Sequence, residues 1–236
     1  RLTSPGGEAV DYIVGAYFES QDLDVLTPTD LNLIALSAVN VPGSPVPAVQ
    51  TGIEVLYAQE SETASLFGQV SWSISDRWTL TAGARYSHDE KEADLDLRLT
   101  DFMSTQDLSD PFTRAIIVGL LGRVPFATGA DRSTDNLSYS ANLAWDYSDN
   151  GMAYVRFARG YKTGGFNPST TVTAPLAPGE VPSDFEYDDE EVSSIELGAK
   201  MTFLDGAAEL NLAAFYTELS DLQVSSFRDS GFTVGN

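Results

Sequence analysis

The chain has 236 residues, 42% of them hydrophobic, and its 13 lysine and arginine residues stand against 35 aspartate and glutamate residues, for a formal net charge of -22. This excess of negative charge excludes a nucleic-acid partner, because the phosphate backbone would be repelled. With no cysteine and a single histidine, His88, the chain can assemble neither a Ser-His-acid triad nor a zinc centre of histidine and cysteine. We therefore expect no enzyme, no catalytic residue, no bound metal and no cofactor.

Seven stretches alternate apolar and polar residues, which predicts β-strands because successive side chains of a strand point to opposite faces. In chain order these stretches are 10–19, 64–74, 78–87, 137–147, 152–161, 195–203 and 208–216. The charged residues of the five clearest strands all lie on the polar face, and they are Arg85, Asp146, Glu196, Lys200 and Glu209. An uncharged face is typical of a strand that faces lipid, where a basic residue costs roughly 2–4 kcal/mol at the bilayer midplane.

The connections between these strands alternate in length. Short turns are predicted at 75–77, 148–150 and 204–206, two of them carrying the hairpin dipeptides Asn-Gly and Asp-Gly. The other connections, roughly 20–60, 88–133 and 162–190, are long. In a transmembrane β-barrel the short turns face the periplasm and the long loops face the exterior. The sequence thus predicts an all-β fold, an antiparallel segment of a β-barrel in a bacterial outer membrane.

Aromatic residues are placed where such a barrel needs them. Five lie close to the short turns and predict an aromatic girdle at one membrane interface: Trp72, Trp78, Trp145, Tyr147 and Phe203. Tyr86, Tyr139 and Tyr216 lie toward the opposite strand ends, where a second girdle is expected. The outer surface is accordingly expected to contact outer-membrane lipid and lipopolysaccharide.

The long loops carry further patterns. Spaced leucine, isoleucine and valine residues predict short helices within 28–40 and 111–122. The acidic tract 184–191 lacks the spaced ligands and turn glycine of a calcium loop, so we interpret it as a solvated loop base. Residues 232–236 look like the opening of an eighth strand. Seven or eight strands would leave two bare edges, which predicts that they belong to a larger barrel.

Two alternatives share the alternating pattern. A passive porin-type diffusion channel has the same kind of strands, and a soluble β-sandwich, such as an adhesin or structural protein, also alternates. A porin would not depend on an energy-transducing partner, and a sandwich would stay soluble without detergent.

The run at 154–167, Tyr-Val-Arg-Phe-Ala-Arg-Gly-Tyr-Lys-Thr-Gly-Gly-Phe-Asn, resembles the barrel signature of TonB-dependent outer-membrane receptors. The runs at 65–69, 80–91 and 193–216 resemble other barrel strands of that family, in the same order. The resemblance implies a 22-stranded barrel filled by an N-terminal plug. It also implies import of a scarce nutrient, for most relatives a ferric siderophore, when the TonB complex pulls on the plug. Residues 1–236 would form part of the barrel domain, without the plug domain and the C-terminal strands.

A set of cations and one tyrosine are the candidate binding residues. Arg85 and Arg156 are predicted to point into the lumen, while Arg159, Tyr161 and Lys162 are predicted near its outer mouth, where a metal-chelate ligand with negative charge would suit guanidinium donors. The alternative is that these arginines pair with acidic groups of the plug or with Glu196 and Glu209. The signature residues Gly160, Gly164, Gly165, Phe166 and Asn167 are predicted to be structural, because glycine lets a strand bend or a backbone approach closely.

Overall fold

The structure is a computed structural model that describes residues 1–33, 49–100, 111, 114–115, 118–119, 122–228 and 231–235. Its main feature is an open antiparallel sheet of eight strands in the order β1-β2-β3-β4-β5-β6-β9-β10. These strands are β1 (Leu2–Thr3), β2 (Val10–Leu33), β3 (Val49–Ser75), β4 (Trp78–Thr100), β5 (Phe126–Ser148), β6 (Gly151–Lys162), β9 (Glu190–Phe203) and β10 (Ala208–Ser220). Short pairs are formed by β7 (Gly165–Phe166) with β8 (Glu186–Tyr187), and by β11 (Val224–Arg228) with β12 (Gly231–Gly235).

The seven predicted strands are confirmed, and neighbours in the sequence pair as hairpins. Each of the three predicted short turns joins two of them: β3 ends at Ser75 and β4 begins at Trp78, β5 and β6 are separated by Asp149 and Asn150, and β9 and β10 by residues 204–207. In the last turn Leu204, Asp205 and Gly206 have φ angles of 55°, 54° and 90°, the left-handed region that Asp-Gly tolerates.

Four strands run much further than the sequence predicted. β2 reaches Leu33, β3 starts at Val49, β4 reaches Thr100 and β5 starts at Phe126, so two of the three long loops are much shorter than predicted. The helix predicted within 28–40 is therefore wrong for residues 28–33, which are strand, and residues 34–40 lie outside the described part. In the second stretch the described residues 111, 114–115 and 118–119 are helical, and Gly122 is in a turn. Within the described ranges no helix is long and apolar enough to cross a membrane.

The missed strand extensions alternate in the opposite phase to the membrane strands. In β4, Leu80, Ala82 and Tyr86 are even-numbered, whereas above them Ala93, Leu95 and Leu97 are odd-numbered and lie on the other face. The surrounding solvent explains this change. Within the membrane the outside of the barrel wall contacts lipid, so the apolar side chains lie outside. Beyond the membrane the outside contacts water, so the apolar side chains pack on the inside. The pattern has period two throughout, and only its phase changes.

The face that carries the lipid-type residues is called the outer face below, and the opposite one the inner face. The outer face comprises even-numbered residues of β2, β3, β4 and β10 and odd-numbered residues of β5, β6 and β9, as the pairings Ala84↔Tyr139, Val155↔Leu197 and Leu197↔Ala214 require. Its apolar side chains are exposed in the sheet, with Leu66 at 66% and Leu212 at 61% of their full accessibility. Exposure on this scale is consistent with a surface that contacts lipid.

The buried apolar core lies on the inner face of the strand extensions. It consists of Ile53, Tyr57, Ala93, Leu95, Leu97, Phe126, Phe166 and Phe185. Phe166 and Phe185 do not belong to the sheet: they come from the connection between β6 and β9, residues 163–189, which we call the strap. The strap therefore folds inward over the wall and does not extend freely into solvent.

The eighth strand of the sheet differs from the predicted one. It is β1, at the start of the chain, where Leu2 and Thr3 pair with Val14 and Ile13. Residues 232–235 of the predicted opening strand instead lie in the β11–β12 hairpin, in which Phe227 pairs with Phe232 apart from the main sheet, and residue 236 lies outside the described part. The sheet itself stays open, with β1 and β10 at its two edges, so it is one part of a barrel wall.

Candidate functional site

Arg85 is the centre of a preorganised polar group on the inner face. Its Nε donates a hydrogen bond to the Ser87 Oγ at 3.1 Å and its Nη2 donates to the Ser65 Oγ at 3.0 Å. The Ser65 hydroxyl in turn donates to that of Ser87 at 2.9 Å, and the guanidinium carbon of Arg85 lies 5.1 Å from the centroid of the Tyr17 ring. The two serines are buried while Arg85 is exposed, so a fixed cation faces the interior of the barrel.

This cation lines a cavity of about 570 Å³ on the inner wall. Side chains and backbone from β2, β3, β4, β5, β6 and β9 contribute to the lining, including Phe67, Gln69, Ser138, Gly160 and Ser194. Most of the lining is apolar, with polar groups supplied by Gln69 and by the serines 138, 140 and 194. Two arginines line the cavity, Arg85 from the inner face and Arg159 from the outer face. A guanidinium held by neutral oxygens keeps its whole charge available for an anion.

The strap closes over the wall directly above this cavity and is fixed there by two cations. Lys91 Nζ donates to the Gly164 carbonyl oxygen at 2.7 Å. Arg132, whose side chain is 6% exposed, donates from Nη1 to the Tyr187 carbonyl and from Nη2 to the Asp189 Oδ1 at 2.9 Å. Burial lowers the pKa of Lys91, an effect opposed chiefly by the nearby carboxylate of Asp89.

The two ends of the strap meet in a narrow neck. Asp189 Oδ1 also accepts a hydrogen bond from the Gly164 amide at 2.6 Å, and the side-chain amide of Gln223 donates to the carbonyls of Lys162, Thr163 and Asp188. A Cβ on Gly164 would overlap the Tyr187 carbonyl and the Arg132 guanidinium. The close approach of two backbones therefore requires glycine at position 164.

Beyond the neck the strap packs through aromatic and amide side chains. The rings of Phe166 and Phe185 lie 5.3 Å apart, and Phe185 is fully buried. Asn167 is 1% exposed, and its backbone amide donates to the Phe185 carbonyl at 2.7 Å while its Oδ1 accepts from the Ser169 amide. Gly165, Phe166 and Asn167 thus anchor the strap to the wall.

The other candidate binding residues do not join Arg85 in one group. Arg156 lies on the inner face opposite Glu196, whereas Arg159 lies opposite Tyr139 on the outer face, where it pairs with Glu191 at 2.6 Å. Pairing between β5 and β6 ends at Arg159, so the next residues turn toward the interior and the Tyr161 hydroxyl reaches Asp89 Oδ2 at 3.1 Å. Lys162 is exposed at the base of the strap.

The aromatic residues near the short turns share the outer face. Trp78 and Trp145 are paired in register and stack with ring centroids 5.5 Å apart, and Tyr147 packs edge-on against Trp145. Trp72 and Phe203 are also exposed, near the turn ends of β3 and β9. The eight residues from Trp78 to Tyr86 span about 27 Å along the strand. For a strand tilted by about 35–45° this length corresponds to roughly 20 Å along the membrane normal, which is close to the height of an outer-membrane apolar band.

The acidic tract 184–191 is only in part the solvated loop base that the sequence predicted, since Asp184, Glu186 and Asp188 are exposed. Phe185 is buried in the core, and Asp189 accepts hydrogen bonds from Arg132, Asn136 and the Gly164 amide. Glu190 accepts from the Gln223 amide at 2.9 Å. Across the described ranges, histidine and acidic side chains form no group of three or more that could hold a metal ion.

Several residues of the site were not singled out from the sequence. Tyr17, Ser65 and Ser87 hold Arg85. The alternation of the sequence places these three residues on the inner face, but it does not reveal their contact with Arg85. Arg132 and Lys91 fell within a predicted loop, because the phase of the alternation changes there. Recognising that change would have placed both on the inner face of a strand.

These observations define an outer-membrane β-barrel, with an apolar outer band, aromatic residues at its turn end and a strap folded over the inner wall. Comparison with known proteins gives the family. The family described as TonB dependent receptor-like, beta-barrel matches residues 9–236, and this chain belongs to it. Its members are receptors of the Gram-negative outer membrane and not enzymes, which confirms the fold and location predicted from the sequence and decides against a β-sandwich.

Individual relatives agree with the family. The chain is 26% identical over 217 residues to a pesticin receptor of Yersinia enterocolitica, covering 92% of this chain and 25% of that protein, and 25% identical over 166 residues to a pesticin receptor of Yersinia pestis, covering 70% and 20%. Among solved structures, the ferric yersiniabactin uptake receptor FyuA of Yersinia pestis matches with a TM-score of 0.64 at 18% identity, covering 99% of this chain and 28% of that one. The siderophore receptor PiuA of Acinetobacter baumannii matches with a TM-score of 0.57 at 17% identity, covering 99% and 32%. The chain spans about a quarter of the length of its curated relatives.

Proposed function

We propose that the receptor to which this segment belongs takes up an anionic ferric chelate of the siderophore type, driven by the TonB complex. The observation that carries this proposal is the guanidinium of Arg85, held by Ser65, Ser87 and Tyr17 on the inner wall below the strap. A carboxylate, phenolate or hydroxamate oxygen of a metal chelate is the acceptor that such a donor fits.

The relatives support this class of cargo. FyuA is described as a ferric yersiniabactin uptake receptor and PiuA as a siderophore receptor, and both share the fold of this chain. The rest of the receptor is part of the proposal: a 22-stranded barrel, an N-terminal plug in its lumen that contacts the TonB complex, and lipopolysaccharide around its outer face. Residues 1–236 would then contribute about a third of the wall.

Uptake and binding should be measured with the full-length receptor in iron-limited cells, with and without a functional TonB system. Iron-repressed expression together with TonB-dependent uptake of a ferric siderophore is the expected result. TonB-dependent uptake of cobalamin or a sugar would overturn the cargo, and uptake indifferent to TonB would indicate a passive porin-type channel.

Replacing Arg85 by glutamine tests the inner-wall cation. The Arg85→Gln receptor should assemble normally but bind the ferric chelate at least tenfold more weakly, since one charge-assisted hydrogen bond contributes about 1.5–3 kcal/mol. Arg77→Gln, a change in a periplasmic turn, is the matched control and should bind like the wild type. Equal binding of the ferric chelate by the two variants would show that Arg85 does not contact the ligand.

A further inference from the structure

A groove lies on the outer face of the strand extensions, well above the apolar band. It has a volume of about 710 Å³ and spans β2, β3, β4 and β5. Its floor is formed by Leu26, Leu56, Ala58, Ala127 and Gly129. Asp24, Asp94 and Asp96 also line it, and Asp94 and Asp96 lie on β4 between the floor residues of β3 and those of β5. Leu26 is 59% exposed.

Lipid does not account for this apolar surface. The last lipid-type row across the sheet is Leu66–Tyr86–Leu137, and the groove begins at the row Asp24–Ala58–Asp94–Gly129, eight residues further along β4. That separation is about 27 Å along the strand, or roughly 20 Å above the apolar band. Three rows lie between them, through His88, Glu90 and Glu92 of β4. An exposed apolar patch beyond the lipid marks a site for a partner.

The charge around the groove limits what that partner can be. The row immediately below it places four carboxylates side by side on the outer face, those of Asp22, Glu60, Glu92 and Asp131. In the described strand extensions, the cationic or titratable basic side chains of this face are His88 and Arg98, and Arg98 is already bonded to Asp96. An anionic polysaccharide, a lipid phosphate or a second copy of this acidic chain would be repelled.

The floor is shaped for a bulky side chain. Leu26 and Leu56 are cross-strand partners, and the small residue Ala58 lies beside them on β3. Ala127 and Gly129 are the small residues at the β5 side of the groove. A Cβ on Gly129 would overlap the Asp94 carboxylate, so glycine allows that carboxylate to lie across the edge of the groove. An apolar side chain inserted here would be flanked by carboxylates from two strands.

We propose that this outer groove binds a basic segment of a second protein, in which lysine or arginine residues flank a large aliphatic or aromatic side chain. The apolar side chain packs against Leu26, Leu56 and Ala58, and the flanking cations meet Asp24, Asp94 and the acidic row below. The surface lies on the outside of the wall, so this binding is independent of the ligand that passes through the lumen.

The test uses the full-length receptor in phosphatidylcholine nanodiscs and a fluorescent helical peptide of lysine and leucine as the probe. Leu26→Lys should weaken saturable binding at least tenfold. Leu222→Lys is the matched control, because Leu222 is also exposed, at 51%, and the change in charge is the same. A lysine-serine peptide of equal charge should bind weakly to every form of the receptor.

Equal effects of Leu26→Lys and Leu222→Lys, or equal binding of the two peptides, would overturn the proposal in favour of general charge attraction. A photoreactive side chain at Ala127 provides a second measurement that does not depend on affinity: it should form an adduct with the lysine-leucine peptide. A receptor that forms no such adduct, or one whose position 127 cross-links to lipopolysaccharide in native outer membranes, would also overturn it.

Discussion

Single residues in this barrel wall are constrained by what lies directly across the sheet. Gly198 leaves the space that the Tyr154 ring occupies, and Gly164 leaves the space for the neck of the strap. Gly160 is different, since the nearest atom to a Cβ there, on Val192, would be 3.8 Å away. The glycines of the signature run therefore differ in their tolerance, although they look alike in the sequence.

Gly164→Ala should destabilise the neck by about 1–3 kcal/mol, the usual effect of overpacking a filled site. The measurement is the rate at which protease cleaves the strap in the full-length receptor. Gly160→Ala is the control and should leave that rate unchanged. Similar cleavage of the Gly164→Ala and wild-type receptors would contradict the close contact.

His88 gives the wall a pH dependence just above the membrane. Its ring nitrogens lie 2.8 Å from Asp135 Oδ1 and 3.2 Å from Glu90 Oε1, and the hydrogen bond to Asp135, followed by that to Glu90, raises the pKa of His88 above 6.5. A raised pKa in the folded state means that the stabilisation is complete below pH 6.5 and is lost as pH rises through the folded pKa.

The heat-denaturation temperature of the full-length receptor should therefore exceed that of His88→Asn at acidic pH. The two should converge as the pH is raised above the folded pKa of His88. Asp135→Asn removes the main cause of the shift and should move this convergence to lower pH. A difference that stays constant across the pH series would show that the ion pair is not its source.

At the scale of elements, each strand has two environments along its length. The lower half of β4 presents Leu80 and Ala82 to lipid, whereas its upper half presents Asp94 to water and buries Leu95 and Leu97 beneath the strap. The strap in turn holds its position through apolar burial and through the bonds of Arg132 and Lys91. Strand length, strap position and the depth of the membrane are thus coupled.

Leu143 lies on the outer face, paired with Leu80 and Val155. Leu143→Arg should impair barrel assembly, because an arginine near the bilayer midplane costs about 2–4 kcal/mol. Heat-modifiability on gels and the yield of inserted receptor would measure this. Leu143→Phe keeps the surface apolar and should assemble normally, and equal assembly of both variants would contradict the assigned face.

The strap depends on a buried ion pair. Arg132→Met removes the cation that binds Asp189 and the Tyr187 carbonyl, and loss of one member of a buried pair costs about 3–5 kcal/mol. The exposed pair of Arg159 and Glu191 should contribute about 0–1 kcal/mol. We expect rapid protease cleavage within 175–182 in Arg132→Met and wild-type resistance in Arg159→Met, and the reverse order would refute the strap anchor.

At the scale of the whole molecule, the open sheet needs the rest of the barrel. Its edge strands β1 and β10 leave backbone groups that lipid cannot satisfy. Charge is also divided across the wall: in the strand extensions most carboxylates lie outside, whereas Lys91 and Arg132 lie inside. The outer surface therefore repels anions, whereas on the inner face Lys91 and Arg132 are bonded to the strap.

An isolated segment of residues 1–236 should fail to form a heat-modifiable barrel in detergent or lipid, because its two edges stay unpaired. The full-length receptor should form one under the same conditions. Semi-native gel electrophoresis of both proteins makes the comparison. A monomeric, heat-modifiable band from the segment alone would contradict this expectation.

The sequence by itself determined the features that are repeated locally: seven strands, the short turns, the lipid face and the inward direction of Arg85 and Arg156. These follow from period-two alternation and from turn dipeptides. Both signals can be read within about ten residues of the sequence, without knowledge of the rest of the chain. The tertiary structure alone decided that the strap folds inward, that Arg132 and Lys91 anchor it, and that Arg159 faces outward. Those outcomes depend on contacts between residues 55 and 73 positions apart, and on which solvent each half of a strand meets. The alternation has the same period in lipid and in water, so it cannot reveal the level at which the membrane ends.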